Sequence, residues 1–97
     1  VGSDSSGDLL ASDLRDRGVD VSHVVSCDSP TGTATVAVED GTGENLIVVA
    51  PGANGAVSPD DVRVDIVANA SVVLVQLAIP LDAVPAAVAH ARGIKLG

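Results

Sequence analysis

A chain of 97 residues makes one domain at most, and this one sets 13 Asp+Glu against 5 Lys+Arg for a formal net charge of −8. That balance argues against nucleic-acid phosphates as a partner, and the absence of Phe, Trp and Tyr removes the platforms on which single strands stack. At 46% hydrophobic the chain is too apolar for a disordered acidic tail, yet no apolar run approaches the ~18 residues of a membrane helix.

The first expected element is a helix over about residues 5–17. Asp4 or Ser5 caps it, Asp8 lies in its first turn, and Arg15 and Arg17 lie in its last, each suited to the helix dipole. Leu9, Leu10 and Leu14 form its apolar side, and Gly18 is a natural left-handed stop. Residues 19–27 read as extended. After Pro30-Thr31-Gly32, residues 33–39 and 45–50 are small and β-branched around Asp40-Gly41-Thr42-Gly43, which predicts a hairpin with Ala34, Val36 and Val38 on one face. Pro51 to Gly55 is a loop.

Ser58-Pro59-Asp60-Asp61 has the form of a helix start, with a cap, a proline at the first position and acids in the first turn. The body that follows fits either period, since Val62, Val64 and Ile66 alternate while Val62 and Ile66 also share a helix face; the start signal favours helix. Residues 71–77 are nearly continuously apolar, as in a strand buried on both faces of a parallel sheet. Asp82 then caps a helix to about Arg92, and Ile94-Lys95-Leu96 begins another strand, so residues 71–97 spell a βαβ unit. The unfinished last strand, with Val1 rather than Met at the start, leads us to expect a portion of a longer protein.

Few residues point to chemistry on their own. Gly2-x-Asp4-x-x-Gly7 opens a helix whose amides suit a phosphate, but a tight turn with an Asp cap explains it better. No glycine run ends in Gly-Lys-Ser/Thr, and no Gly-x-Ser-x-Gly elbow occurs. His23 and His90 read as ordinary surface histidines, and Cys27 as a small buried hydrophobe without a partner for an internal disulfide. One Cys and two distant His make no zinc site. Asp60-Asp61 complements a helix start, and the Asn69-Ala70-Ser71 sequon reads as chance, since no secretory signal is expected. A reducing cytoplasm is the expected compartment. Residue chemistry alone stops at an acidic α/β piece.

The order of short motifs says more. Gly2-x-Asp4-x-x-Gly7-x-x-Leu10 is followed by Gly18-Val19-Asp20, Pro30-Thr31-Gly32-x-Ala34, Gly43-Glu44-Asn45-x-Ile47, Gly52-Ala53-Asn54, Ser58-Pro59-x-Asp61-Val62 and Gln76-Leu77-x-Ile79-Pro80-Leu81. This succession resembles the ribokinases of the PfkB family of carbohydrate kinases, over essentially all 97 residues but only the middle of the family's chain. The resemblance implies an α/β fold: an incomplete ribokinase-like three-layer α/β/α domain, with the hairpin of about residues 31–50 contributing to a β lid over the sugar. It implies transfer of the γ-phosphoryl of ATP to the 5-hydroxyl of D-ribose, with Mg and an activating monovalent cation, in a homodimer joined through lid strands.

The family's amino-terminal Gly-Gly and Asn segment, its Asn-x-x-Glu region and its Asp-Thr-x-Gly-Ala-Gly-Asp motif are not among these residues. No catalytic, nucleotide or metal residue carries over, and the 97 residues alone are expected to be inactive and to bind none of these cofactors well. Two sugar-site positions do carry over. Ala34 lies where the family places apolar contacts, although a hairpin packing role explains it equally well. Ala78 stands where ribokinases read Gln-Leu-Glu-x-Pro with a Glu that hydrogen-bonds the sugar. Losing one such partner costs roughly 1–3 kcal/mol, which opens the sugar specificity. The alternatives are a fructokinase- or nucleoside-kinase-like member of the family, or a non-catalytic piece that associates through its hairpin.

Overall fold

The computed structural model describes residues 1–89, 91 and 94–96. Val1–Ala53 and Asn54–Gly97 form two compact units.

The first unit begins with α1 (Ser5–Asp16). Asp4 is its N-cap, with extended backbone and a side chain that accepts the Gly7 N–H. Arg17 is the C-cap, and Gly18 follows at φ +82°, the left-handed stop the sequence predicts. Leu9, Leu10 and Leu14 remain exposed.

Residues 19–27 depart from the extended reading. The Asp20 carboxylate accepts the Ser22 N–H at 2.9 Å, and Val24 N–H donates to the Val21 carbonyl at 3.0 Å. This local turn outcompetes a strand, as short acidic side chains do when they bond the backbone two residues on. Extended pairing survives only at Cys27, which bridges Gly2 in parallel. Cys27 itself is half-buried rather than buried.

β1 (Thr33–Val38) and β2 (Asn45–Ala50) then form an antiparallel hairpin with Thr33 opposite Ala50 and Val38 opposite Asn45. Side chains alternate across a strand, so Leu46 and Val48 lie on one face and Ile47 on the other. All are bare, with exposures of 67%, 62% and 53%.

In the second unit the expected helix after Ser58 splits in two. Pro59–Asp61 forms a single 3-10 turn, Val62 and Arg63 are extended, and α2 (Val64–Asn69) starts only afterwards. The Asp61 carboxylate accepts both the backbone N–H and the hydroxyl of Ser58, at 2.8 and 3.1 Å. The start signal is therefore used up on one turn.

β3 is Val73–Val75, shorter than the apolar run 71–77. It pairs in parallel with β4 (Ile94–Leu96) over three positions, from Val73 opposite Ile94 to Val75 opposite Leu96. A strand is only as long as its ladder. Val75 is buried but Leu74 is 74% exposed, so the expectation of burial on both faces fails within this chain.

Between them lies α3 (Ala83–Val88), which packs on α2, on β3 and on the 3-10 turn. Asp82 does not cap it: its backbone is already helical and its side chain makes no cap hydrogen bond. The Ala83 N–H goes to the Pro80 carbonyl at 3.2 Å instead. Ala83 is the most deeply buried apolar residue described. The helix expected to run to about Arg92 ends at Val88 with Ala89 as its C-cap, and the Ala91 N–H turns back to the Val88 carbonyl at 3.3 Å; His90 and Arg92 lie outside the described residues.

Candidate functional site

Three of the sequence motifs meet in the first unit. Asp4 gathers donors from two segments: Gly7 N–H to Oδ1 at 2.8 Å, Thr31 N–H to Oδ2 at 2.8 Å and Thr31 Oγ1–H to Oδ1 at 2.6 Å. The same Thr31 hydroxyl oxygen accepts the Gly2 N–H at 2.9 Å. Ala53 N–H closes the third side on the Pro30 carbonyl at 2.7 Å. These bonds hold the Asp4 carboxyl well below its ordinary range, at about 2; the Thr31 hydroxyl contributes most, then the Thr31 and Gly7 amides.

Bare glycines make this meeting possible. A Cβ on Gly2 would run into the Thr31 amide nitrogen, and one on Gly7 into the Gly2 carbonyl oxygen. Gly52 sits at φ +50°, and a Cβ there would strike the Pro30 carbonyl oxygen. The helix N-terminus that suits a phosphate is thus filled by the chain's own carboxylate. Asp4 is a cap, as the residue types favour.

The hairpin rises from this clasp. Ala34 lies on β1 opposite Val49 and is exposed. Ala78 belongs to the second unit, exposed in the bend after β3. Beside it Gln76 turns its amide oxygen back to accept the Leu77 N–H at 2.8 Å. Ala34 and Ala78 therefore fall in different units.

The remaining candidates stay apart. His23 is exposed in the turn after Asp20, and His90 lies outside the described residues. The Asn69 side-chain nitrogen donates to the Asp65 carbonyl at 2.7 Å. Among the described residues no three His, Cys, Asp or Glu side chains gather to hold a cation. No described helix is long and apolar enough to cross a membrane.

Thr31 is the residue whose part the sequence does not disclose. It appears there only as the middle of Pro30-Thr31-Gly32. Its partner Asp4 is 27 positions away, and no local period links them. The one available signal is that both belong to a recurring succession of motifs.

That succession has relatives. The pfkB family carbohydrate kinase profile matches residues 1–94. A ribokinase of Schizosaccharomyces pombe is 37% identical over 101 aligned residues, which take in 99% of this chain and 31% of the relative. A ribokinase of Staphylococcus aureus is 32% identical, across 97% of this chain and 32% of its own. The crystal structure of ribokinase from Thermotoga maritima superposes with a TM-score of 0.84 at 26% identity, covering 99% of this chain and 32% of that one. The chain thus spans about a third of the length of the relatives it matches.

Proposed function

Since the chain belongs to the pfkB family of carbohydrate kinases, we propose that it is the lid-bearing middle portion of a sugar kinase that phosphorylates D-ribose at its 5-hydroxyl. The observation that carries this reading is the hairpin: bare on both faces and fastened at its base to the helix N-terminus. Phosphoryl transfer depends on positioning and on excluding water far more than on covalent chemistry. A flap with one apolar face over the sugar supplies both. The other face then packs against the lid of a second copy, which makes the enzyme a homodimer.

In this reading Ala34 supplies an apolar contact to the sugar from β1, and Ala78 leaves one sugar hydroxyl without the carboxylate partner that ribokinases give it. ATP, Mg and a monovalent cation are held by segments outside residues 1–97. ATP supplies the transferred phosphoryl and Mg neutralises its developing charge. The 97 residues alone bind none of them well and turn nothing over. A cytoplasmic setting, where ATP is plentiful, suits the activity.

The test is ribose-dependent ADP release. The isolated 97 residues should give none, and the enzyme that contains them should give steady turnover. Within that enzyme Ala78→Glu should lower the KM for ribose about tenfold, the scale of one regained hydrogen bond to a charged group. An unchanged KM would remove residue 78 from the sugar site. Turnover with fructose or a nucleoside but not ribose would replace the substrate while keeping the family.

A further inference from the structure

The clasp does more than close a turn, because of where the hairpin is attached to it. β1 begins at Thr33, so Gly32 alone separates the first paired residue from Thr31. β2 ends at Ala50, and within three residues the Ala53 N–H is bonded to the Pro30 carbonyl. Gly52 lies against the same carbonyl and the Gly32 amide nitrogen, the latter 3.0 Å from where its Cβ would be. Both feet of the hairpin are therefore gathered at residues 30–32. That segment is bound to the start of α1 through one side chain and its own amide.

We propose that Thr31 is the positioning residue of the hairpin: its hydroxyl, shared between the Gly2 N–H and the Asp4 carboxylate, fixes the direction in which β1 and β2 leave the N-terminus of α1. The hydroxyl has one acceptor and one donor to satisfy, at 2.6 and 2.9 Å, so its rotation is fully specified. The helix does not need it. The Gly7 N–H to Asp4 bond and the Asp8 N–H to Asp4 carbonyl bond cap α1 without Thr31. The hairpin does not need it either, since its ladder from Thr33 to Val38 is internal. What depends on Thr31 is the joint between two elements whose own hydrogen bonds do not use it. If the hairpin is a sugar lid, this joint sets its resting angle. That consequence rests on the function proposed above, whereas the joint itself does not.

The test measures the joint directly. Nitroxide labels at Asp16→Cys on α1 and Asp40→Cys near the hairpin tip, in a Cys27→Ser background, report the distance between the two elements. Thr31→Val keeps the shape and removes both hydroxyl bonds. It should broaden the distance distribution roughly twofold while the amides of α1 keep their hydrogen-exchange protection. Thr31→Ser should restore the narrow distribution. An unchanged width in Thr31→Val overturns the proposal. So does a variant in which α1 and the hairpin lose protection together, because the hydroxyl would then hold the whole unit rather than aim one part of it. Broadening in Thr31→Val with an unchanged ribose KM in the enzyme that contains it supports the joint and removes the lid reading alone.

Discussion

The clasp and the hairpin adjoin in sequence and differ in almost every physical respect. The clasp is polar, built from glycines and one carboxylate, with its donors and acceptors paired at 2.6 to 2.9 Å. The hairpin is apolar and uncovered on both faces, with Leu46 67% and Val48 62% exposed. One region is complete within these residues. The other leaves its apolar side chains uncovered, and an isolated two-stranded hairpin is marginal in water. The difference teaches where to expect sensitivity: in the clasp a single methyl group has nowhere to go, whereas on the hairpin a whole side chain has room.

The largest effect follows from that contrast. Gly7→Ala places a methyl against the Gly2 carbonyl oxygen, a backbone atom that cannot step aside without dragging the Gly2–Cys27 bridge with it. Overpacking of this kind costs roughly 3 kcal/mol, which is a large share of the stability of a unit this small. Gly18→Ala is the control. A Cβ there meets nothing within 4 Å, and the cost is only the left-handed φ, about 1 kcal/mol. Denaturant melts followed by helix signal should rank Gly7→Ala well below Gly18→Ala. Equal midpoints would mean that the clasp is no tighter than an open turn.

How much of this is legible in the sequence depends on range. The ends of α1 are written locally: Asp4 reaches three residues to Gly7, and Gly18 stops the helix by its own φ. β2 falls on residues 45–50 as predicted, because β-branched runs around a glycine turn have few alternatives. The Ser58 signal misleads because the same local bonds can end a helix after one turn. Asp61 serves Ser58, and the chain extends through Val62 and Arg63 before α2 begins. β3 is shorter than its apolar run because three residues of β4 set its ladder. The Asp4–Thr31 pair was not legible at all, since a hydrogen bond across 27 residues leaves no period in the sequence. Ala34 and Ala78 are singled out by the order of the family's motifs, and exposure alone assigns neither a role.

A smaller effect separates the regions by pH. Asp4 titrates at about 2 when folded against 3.8 as a free side chain. A depressed carboxyl contributes stability that is fully present above the unfolded value and is lost as pH falls through the folded one. The stability gap between the parent chain and Asp4→Asn should therefore be constant above about pH 5 and shrink between pH 4 and pH 2. Asp20 and Asp65, both lowered by bonds to Ser22 and Arg63, add the same sign in each chain and cancel in the difference. Acid titration by circular dichroism reads this. A gap that widens on acidification would mean that Asp4 is not the ionised acceptor for Thr31 and Gly7.

The smallest effect on stability belongs to the hairpin, and its smallness is the point. Val48→Thr changes a side chain that is 62% exposed and opposite Thr35, where a threonine pair fits the ladder. Its cost to the folded monomer should stay within about 0.5 kcal/mol, as for surface positions in general. Association is another matter. If the bare face is a cover for a second copy, removing a methyl from its centre and adding a hydroxyl there weakens the contact without touching the fold, because the buried hydroxyl then lacks a partner. Sedimentation should show Val48→Thr shifted toward monomer at concentrations where the parent chain self-associates, and Leu46→Thr on the same face should add to it. The Ile47→Thr change on the opposite face should leave association alone if only one face meets the second copy. Equal loss from all three would mean that the hairpin aggregates through both faces, as an unprotected edge or apolar patch does, and that neither face is matched to a partner.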